Sequence, residues 1–204
     1  MRSATAGLIL LNVLVYLLQG ELGDRLLASY ALWPVGHFWI AELNTYVGFQ
    51  PWQLITSAFL HANLTHLFLN LFALYMFGKE VERELGMARF LELYFVSVLS
   101  AALVQLAVVS FNVEQPHPTL GASGGVFGVL LAFGRLFPHS IVTPLFPPIP
   151  MRAWVFVGLY AIIELTSGVF GTQQGVAHFA HLGGMLGAYL LLHRWQRPRA
   201  LDFR

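Results

Sequence analysis

The stretch Leu120-Gly121-Ala122-Ser123-Gly124-Gly125-Val126-Phe127-Gly128 places one serine among small residues at the start of an apolar segment. The segment continues to Gly134 before Arg135 interrupts it, and it would cover about 20 Å as a helix. The hydrocarbon core of a bilayer is about 30 Å thick. If Arg135 lies at one membrane surface, the Ser123 hydroxyl lies about 10 Å below the other, where it needs protein and water around it. We therefore interpret Ser123 as a candidate nucleophile.

The composition of the 204-residue chain is that of a membrane protein. Hydrophobic residues make up 57% of it and charged residues 10%, whereas soluble domains carry about 25% charged residues. The net charge of +1 gives no reason to expect a nucleic-acid partner. Membrane lipid is therefore the expected surrounding of the chain.

The scarcity of two residue types excludes several kinds of chemistry. The chain has no cysteine, which excludes disulfides, thiolate metal sites and a cysteine nucleophile. Its aspartates, Asp24 and Asp202, both lie outside the apolar segments. This placement argues against a Ser-His-Asp triad. It also argues against an aspartyl intramembrane protease, which needs two aspartates within the membrane.

Six apolar segments predict a bundle of membrane-spanning helices in a single domain over residues 1–204. The predicted helices cover residues 5–19, 63–78, 90–113, 122–134, 153–170 and 176–193, and residues 20–62 form an outer loop. The first segment follows Arg2 like a signal peptide. Because no small-x-small cleavage site follows it, we interpret it as a retained helix.

The placement of lysine and arginine predicts the orientation, since cytoplasmic loops carry an excess of positive charge. With the N-terminus inside, ten of the eleven basic residues lie on the inner side and Arg25 lies outside. Both termini are therefore predicted to be cytoplasmic. Residues 79–86 are predicted to be a short charged inner turn, and the prolines of residues 138–150 predict a non-helical inner loop.

Polar residues inside the apolar segments converge at one predicted depth. Such groups are costly in a membrane, so each is a functional candidate. The second, fourth and sixth segments all begin at the outer side, and their polar residues lie near that end: His61, His66, Asn70, Ser123, His178 and His181. These residues are therefore predicted to lie near one another.

The serine and one histidine each lie beside a strip of small residues. Gly124 and Gly128 form a GxxxG strip next to Ser123, and Gly184 lies one turn after His181. Small residues let two helices approach closely, so these side chains can come within hydrogen-bonding distance. A serine nucleophile and a histidine general base require that arrangement.

Other polar residues in the segments have different interpretations. His66 and Asn70 are four residues apart and share a helix face, where they either tie helices together or donate to an oxyanion beside the serine amide. His178 lies nearer the surface without a small strip on its face, and we rank it below the other histidine of its segment. Glu164 has no partner that the sequence identifies.

Eight histidines also raise the hypothesis of a metal site. An HExxH motif and cysteine are both absent from the sequence, and no apolar segment holds a histidine and a carboxylate three or four residues apart. The sequence therefore predicts no metal site.

Three motifs together resemble the rhomboid family of intramembrane serine proteases. They are Gly121-Ala122-Ser123-Gly124, similar to the family's GxSG; His66-Leu67-Phe68-Leu69-Asn70, similar to its HxxxN; and Ala180-His181-Leu182-Gly183-Gly184 on the sixth segment. They occur in the family's order, and the resemblance covers essentially the whole chain. It implies an all-α membrane protein: a six-transmembrane-helix rhomboid-like bundle of the minimal bacterial type, with a short central helix four that carries the nucleophile.

The resemblance also implies the chemistry. It implies a catalytic dyad of Ser123 and His181, an oxyanion site of His66, Asn70 and the serine amide, and no cofactor. The supporting residues are Gly121, Gly124, Phe127 and Gly184, and the ring of Phe127 is expected to pack against the dyad histidine. Substrates would be single-span membrane proteins, cleaved near the outer end of their helix at a bacterial cytoplasmic membrane.

One position departs from the family's pattern. The family's outer loop often carries Trp-Arg, whereas Gln53 follows Trp52 here.

Two other functions are alternatives to a protease. One alternative is a non-catalytic rhomboid-like protein that binds transmembrane helices, and such proteins typically lack the serine or the histidine. The other is a small channel or transporter in which the histidines relay protons.

Overall fold

A computed structural model describes residues 3–111, 116–171 and 177–196, and this part of the chain is mostly helical. The helices are α1 (Ala4–Tyr30), α2 (Gln53–Thr56), α3 (Leu64–Ala73), α4 (Lys79–Leu85), α5 (Met87–Phe111), α6 (Ser123–Leu136), α7 (Ala153–Phe170) and α8 (His178–Gln196). Two short antiparallel pairs join β1 (Phe38–Ile40) to β2 (Thr45–Val47) and β3 (Ile141–Val142) to β4 (Met151–Arg152).

Long apolar helices make the chain a membrane helical bundle. Within the described ranges α1, α5 and α7 are long and apolar enough to cross a membrane. The stretch from Gln53 to Leu85, bent by 99° at a break, adds a fourth span if its two halves count as one. Helix α6 is apolar but shorter. The count of six spans stays a prediction.

The first helix is longer than its apolar segment predicts. Helix α1 continues past residue 19 to Tyr30, with a non-helical backbone at Leu22, so the outer loop begins at Ala31 and not at residue 20. Glu21 and Asp24 end the apolar pattern, but both are exposed on the helix surface, where charged side chains cost little. The loop itself contains α2 and the hairpin of β1 and β2.

The predicted charged turn at residues 79–86 is wrong, because α4 occupies most of it. A π-helical turn, Leu74–Gly78, joins α3 to α4, and Val81 is fully buried and anchors α4 to the core. Glu82 accepts hydrogen bonds from the backbone amides of Ala4 (2.6 Å) and Thr5 (2.9 Å), the first residues of α1. A carboxylate at a helix N-terminus satisfies unpaired amides and the helix dipole. The carboxylate of Glu82 therefore ties α4 to the start of α1.

Other helix ends shift by a few residues. Helix α6 continues through Arg135, whose guanidinium lies 5.3 Å from the ring centroid of Tyr189 in α8. Helix α7 occupies the residues of the fifth predicted segment. The predicted ends at Val113 and Val176 lie outside the described residues. So do Asp202 and four basic residues behind the orientation prediction: Arg2, Arg197, Arg199 and Arg204.

Helix α6 packs against both α5 and α8, which also pack directly against each other, and these three helices form the centre of the bundle. A methyl group on Gly128 would collide with Ser97 of α5, and one on Gly183 of α8 would lie 3.0 Å from the Cα of Ala101 in α5. Side chains larger than hydrogen therefore do not fit at these crossings. The small strips of the sequence lie where the helices approach most closely.

Gln53 anchors the outer loop. Its buried side-chain carbonyl accepts hydrogen bonds from the amides of Trp33 (3.3 Å) and Gln50 (3.1 Å). Its side-chain amide donates to the carbonyl oxygens of Ser29 (3.4 Å) and Gly48 (3.3 Å). The glutamine that departs from the Trp-Arg pattern thus ties the end of α1 to the loop.

Candidate active site

Ser123 and His181 meet across the contact between α6 and α8. The Oγ of Ser123, the first residue of α6, lies 2.8 Å from Nε2 of His181 in the first turn of α8. When Nε2 carries no proton, the serine hydroxyl donates and the nitrogen accepts. This is the geometry in which an imidazole can remove the serine proton.

Phe127 restrains the histidine ring. It lies one turn after Ser123 on α6, and its ring stacks on His181 with a centroid distance of 4.2 Å and an interplanar angle of 7°. The far side of Phe127 meets Tyr160 of α7 at a centroid distance of 6.3 Å. The imidazole plane is therefore held in the orientation that directs Nε2 toward the serine.

The chain enters α6 through a turn that only glycine adopts readily. Gly121 has φ +123°, and its amide donates a 2.9 Å hydrogen bond to the carbonyl of Ser57. The next residue, Ala122, precedes the helix, and its side chain makes no capping bond. The first amides of α6 therefore have no side-chain cap and can donate to an anion.

Of the two predicted donors on α3, the structure places His66 beside this turn, whereas the contact that it shows for Asn70 is within α3. A methyl group on Gly121 would stand 2.7 Å from the His66 ring and 3.8 Å from Ser123 Oγ, so the imidazole and the hydroxyl border the same space. The buried Asn70 donates a 2.9 Å hydrogen bond from Nδ2 to the carbonyl of His66. Asn63 caps the helix by accepting from the His66 amide at 2.8 Å.

A comparison with protein-family models covers the part of the chain that holds these side chains. A model of the rhomboid domain matches residues 48–195, which include all of these side chains. The chain belongs to the rhomboid family. The resemblance that the three motifs indicated is confirmed.

Several curated rhomboid proteins are similar to the chain. It is 32% identical to "Rhomboid protein 1, mitochondrial" of Saccharomyces cerevisiae over 86% of this chain and 51% of that protein. It is 30% identical to "Rhomboid protease GluP" of Bacillus subtilis over 74% of this chain and 27% of that protein. It is 31% identical to "Putative rhomboid protease YdcA" of the same bacterium over 69% of this chain and 65% of that protein. The chain thus spans about half the length of the yeast relative, and its family together with its apolar helices makes it an integral membrane protein.

Sequence reasoning left Glu164 without a partner, and the structure places it against two histidines. Its Oε2 lies 2.7 Å from Nδ1 of His178 and 2.9 Å from Nδ1 of His181. The contact with His178 has hydrogen-bond geometry, whereas Nδ1 of His181 has no aligned partner among the described residues. We therefore treat the 2.9 Å approach as an electrostatic contact. No spacing signal could reveal it, because the carboxylate and the histidines lie on different helices.

The same three residues are the described group best suited to hold a metal, since their donor atoms lie within 4.8 Å of one another. Tetrahedral zinc, however, keeps nitrogen and oxygen ligands about 3.3 Å apart, given metal–ligand bonds of about 2.0–2.1 Å. The separations of 2.7 and 2.9 Å between Oε2 and the two nitrogens fit hydrogen-bond contacts better. The arrangement favours a carboxylate bound to imidazoles.

His61 supports the turn that precedes the serine. Its buried Nε2 accepts from the amide of Ala122 at 3.5 Å, and its ring meets His66 edge-on at a centroid distance of 5.1 Å. Its backbone forms two hydrogen bonds with the Gln19 side chain, at 2.9 and 3.1 Å. His61 therefore connects Gln19 of α1 to the backbone of the turn before Ser123.

A small cavity of about 30 Å³ borders Ser123 and α5, and its mostly apolar wall contains a few polar side chains. Its lining includes Ser57, Gln105 and Thr119. The side-chain amide of Gln105 donates to the Thr119 hydroxyl at 3.3 Å, while its buried Oε1 has no hydrogen-bond partner among the described residues. A buried acceptor of this kind is satisfied by water, so the cavity can hold water beside the serine. No motif or spacing in the sequence singles out Gln105.

Proposed function

We propose that this rhomboid-family chain is an intramembrane serine endopeptidase in which Ser123 is the nucleophile and His181 the general base. The observation that carries the proposal is the 2.8 Å contact between Ser123 Oγ and His181 Nε2. The relatives named as proteases support peptide hydrolysis as the reaction. The composition and the bundle place that reaction in a membrane.

The reaction has two halves. In the first, Oγ of Ser123 attacks the scissile carbonyl carbon while Nε2 of His181 takes the hydroxyl proton. The imidazolium then gives that proton to the departing amine, which leaves an ester on the serine. In the second half, His181 takes a proton from water while the water oxygen attacks the ester carbonyl. The bond between that carbon and Oγ then breaks, the imidazolium returns its proton to Oγ, and the new carboxyl end of the substrate leaves. The cavity beside Ser123, with the unpartnered Oε1 of Gln105, is a suitable source of that water.

Donors around the turn at Gly121 would hold the oxyanion of each tetrahedral intermediate. The amide of Ser123 at the start of α6, the ring of His66 and the side chain of Asn70 supply these donors. The position of the His66 ring beside Gly121 and Ser123 supports this assignment. Pre-organised donors of this kind stabilise developing negative charge without reorganisation, and one of them can be worth about 10²–10³ in rate.

The substrates would be single-span membrane proteins, cut near the outer end of their helices. The proposal keeps both termini in the cytoplasm, as the distribution of basic residues predicts, in six spans at a bacterial cytoplasmic membrane. The serine then lies at the outer end of the short helix α6. A non-catalytic helix-binding protein or a proton relay has no need of a serine held against a histidine.

Covalent labelling tests the proposal. The chain, purified in detergent, is treated with a fluorophosphonate and assayed for cleavage of a single-span substrate in proteoliposomes. We expect labelling and cleavage in the natural chain, and neither in Ser123→Ala or His181→Ala. Thr166→Ala, which removes an exposed hydroxyl from α7, is the control and should behave as the natural chain. Cleavage that persists in Ser123→Ala would overturn the proposal.

A further inference from the structure

We propose that Glu164 is the anionic partner of His181, a positioning residue that makes the serine–histidine pair a charge-stabilised group of three. The proposal rests on the proposed function of Ser123 and His181. It adds a residue from α7 that no motif of the sequence contains, and it assigns to His178 the role of holding the carboxylate.

The burial of Glu164 points to a function. The residue is 7% exposed on a long apolar helix, where an ionised group is costly unless it is paired. Among the described residues its ion-pair partners are two imidazoles: one oxygen, Oε2, lies close to both Nδ1 of His178 and Nδ1 of His181. Such a group is retained at a cost in stability, which is typical of a functional residue.

The two nitrogens of His181 face opposite partners. Nε2 faces the serine hydroxyl at 2.8 Å, and Nδ1 faces the carboxylate oxygen at 2.9 Å. A carboxylate beside Nδ1 favours the tautomer with its proton on that nitrogen, so Nε2 is left free to accept the serine proton. After that transfer the ring is an imidazolium, and Glu164, which stays ionised throughout, stabilises its charge.

The alignment of the contacts distinguishes the two histidines. The hydrogen bond between Glu164 and His178 is directed and 2.7 Å long, so it fixes where the carboxylate lies. The contact with His181 is as close but not along the direction of an Nδ1 proton. Coulombic stabilisation of an imidazolium depends on distance and not on alignment, and catalytic hydrogen bonds often tighten only when substrate is bound.

The experiment compares Glu164→Gln, which keeps the shape and removes the charge, with Glu164→Asp, which keeps the charge. Ser167→Ala, buried one turn along the same helix, is the matched control. The measurements are kcat and KM for a single-span substrate in proteoliposomes, the rate of fluorophosphonate labelling per folded molecule, and the thermal unfolding temperature.

We expect Glu164→Gln to lower kcat and the labelling rate by about 10- to 100-fold, the range for loss of one charge-assisted contact. KM should stay within about twofold, because the carboxylate does not touch substrate. Glu164→Asp should recover part of the rate, and Ser167→Ala should match the natural chain. A glutamine variant with undiminished kcat would overturn the inference, while Ser123-dependent cleavage would leave the proposed function standing. If the natural chain itself fails to label or cleave, the proposed function fails first.

Glu164 could instead serve only to tie α7 to α8 through His178. A second variant distinguishes this structural role from the stabilisation of charge on His181. His178→Asn removes the directed partner but keeps the charge of Glu164 near the catalytic ring. The charge role predicts a clearly smaller loss of kcat in His178→Asn than in Glu164→Gln. Equal losses of kcat, accompanied by equal losses of thermal stability, would overturn the inference even if one variant folds poorly.

Discussion

The backbone of Gly184 in α8 touches that of Gly124 in α6: a methyl group on Gly184 would collide with the Gly124 carbonyl oxygen and lie 3.2 Å from its Cα. Ser123 directly precedes one of these glycines, and His181 lies one turn before the other. The contact between the two backbones therefore sets the distance between the two side chains. The packing of α6 against α8 and the proposed serine–histidine dyad therefore depend on the same crossing.

Gly184→Ala should separate the two helices and disturb the serine–histidine contact. Overpacking a helix crossing costs about 1–3 kcal/mol. We therefore expect a lower unfolding temperature and a labelling rate per folded molecule at least tenfold below that of the natural chain. The matched control is Gly158→Ala on α7, where a methyl group meets nothing within 4 Å. There alanine should leave stability equal or improved, because it is the better helix former. Equal behaviour of the two variants would contradict the prediction.

The stacking of Phe127 on His181 predicts that activity depends on an aromatic ring at this position. Phe127→Tyr keeps the ring and should retain kcat within a few-fold. Phe127→Leu keeps apolar volume but frees the imidazole plane, so kcat should fall about tenfold while KM changes little. Steady-state cleavage in proteoliposomes measures both parameters. An equally active leucine variant would show that the stacked ring does not orient the histidine.

Asn70→Ala should impair cleavage without abolishing it. The loss of one oxyanion donor lowers kcat by about 10²–10³. Asn70 also bonds to the His66 carbonyl, so the unfolding temperature should fall slightly, by the equivalent of about 1 kcal/mol. Thr65→Ala, an exposed position on the same helix, serves as the control and should change neither. If Asn70→Ala keeps full kcat, its amide only ties the helix together.

Gln53→Leu should destabilise the outer loop without changing the chemistry. Leucine has a similar size but leaves the buried amide of Trp33 and its neighbours without the partners that Gln53 supplies. Each unsatisfied buried group costs about 1–3 kcal/mol. We expect a fall of several degrees in the unfolding temperature and an unchanged kcat per labelled molecule. Gln50→Leu removes an exposed side chain and should have little effect. An unchanged unfolding temperature in Gln53→Leu would contradict the anchoring role.

Local patterns predicted the ends of a helix well where the helix and its apolar segment end at the same residues. Helix α7 occupies the residues that its segment predicted. Helices α1 and α4 do not follow the apolar pattern, because Glu21, Asp24 and Lys79 lie on exposed or capping surfaces where a helix accepts charge. Hydropathy reports whether side chains are apolar, whereas a helix continues as long as its backbone N–H and C=O groups are hydrogen-bonded.

Glu164 shows the same difference between a local sequence pattern and the tertiary environment, here at the candidate active site. The placement of the two aspartates argued only against a triad that contains aspartate. It could not address Glu164, because no local pattern encodes how α7 is rotated relative to α8. Gln105 escaped notice for the same reason, since its importance comes from the cavity that it borders.

The sequence by itself determined the membrane environment, the rhomboid family and the order of the serine, histidine and asparagine motifs, because composition and short spacings are local properties. Glycine strips next to Ser123 and His181 also indicated which helices approach. Only the tertiary structure decided that one oxygen of Glu164 contacts two imidazoles and that a small cavity containing the Gln105 side chain borders the serine. Those relationships depend on how helices far apart in the chain are rotated and packed, and no local pattern encodes that rotation.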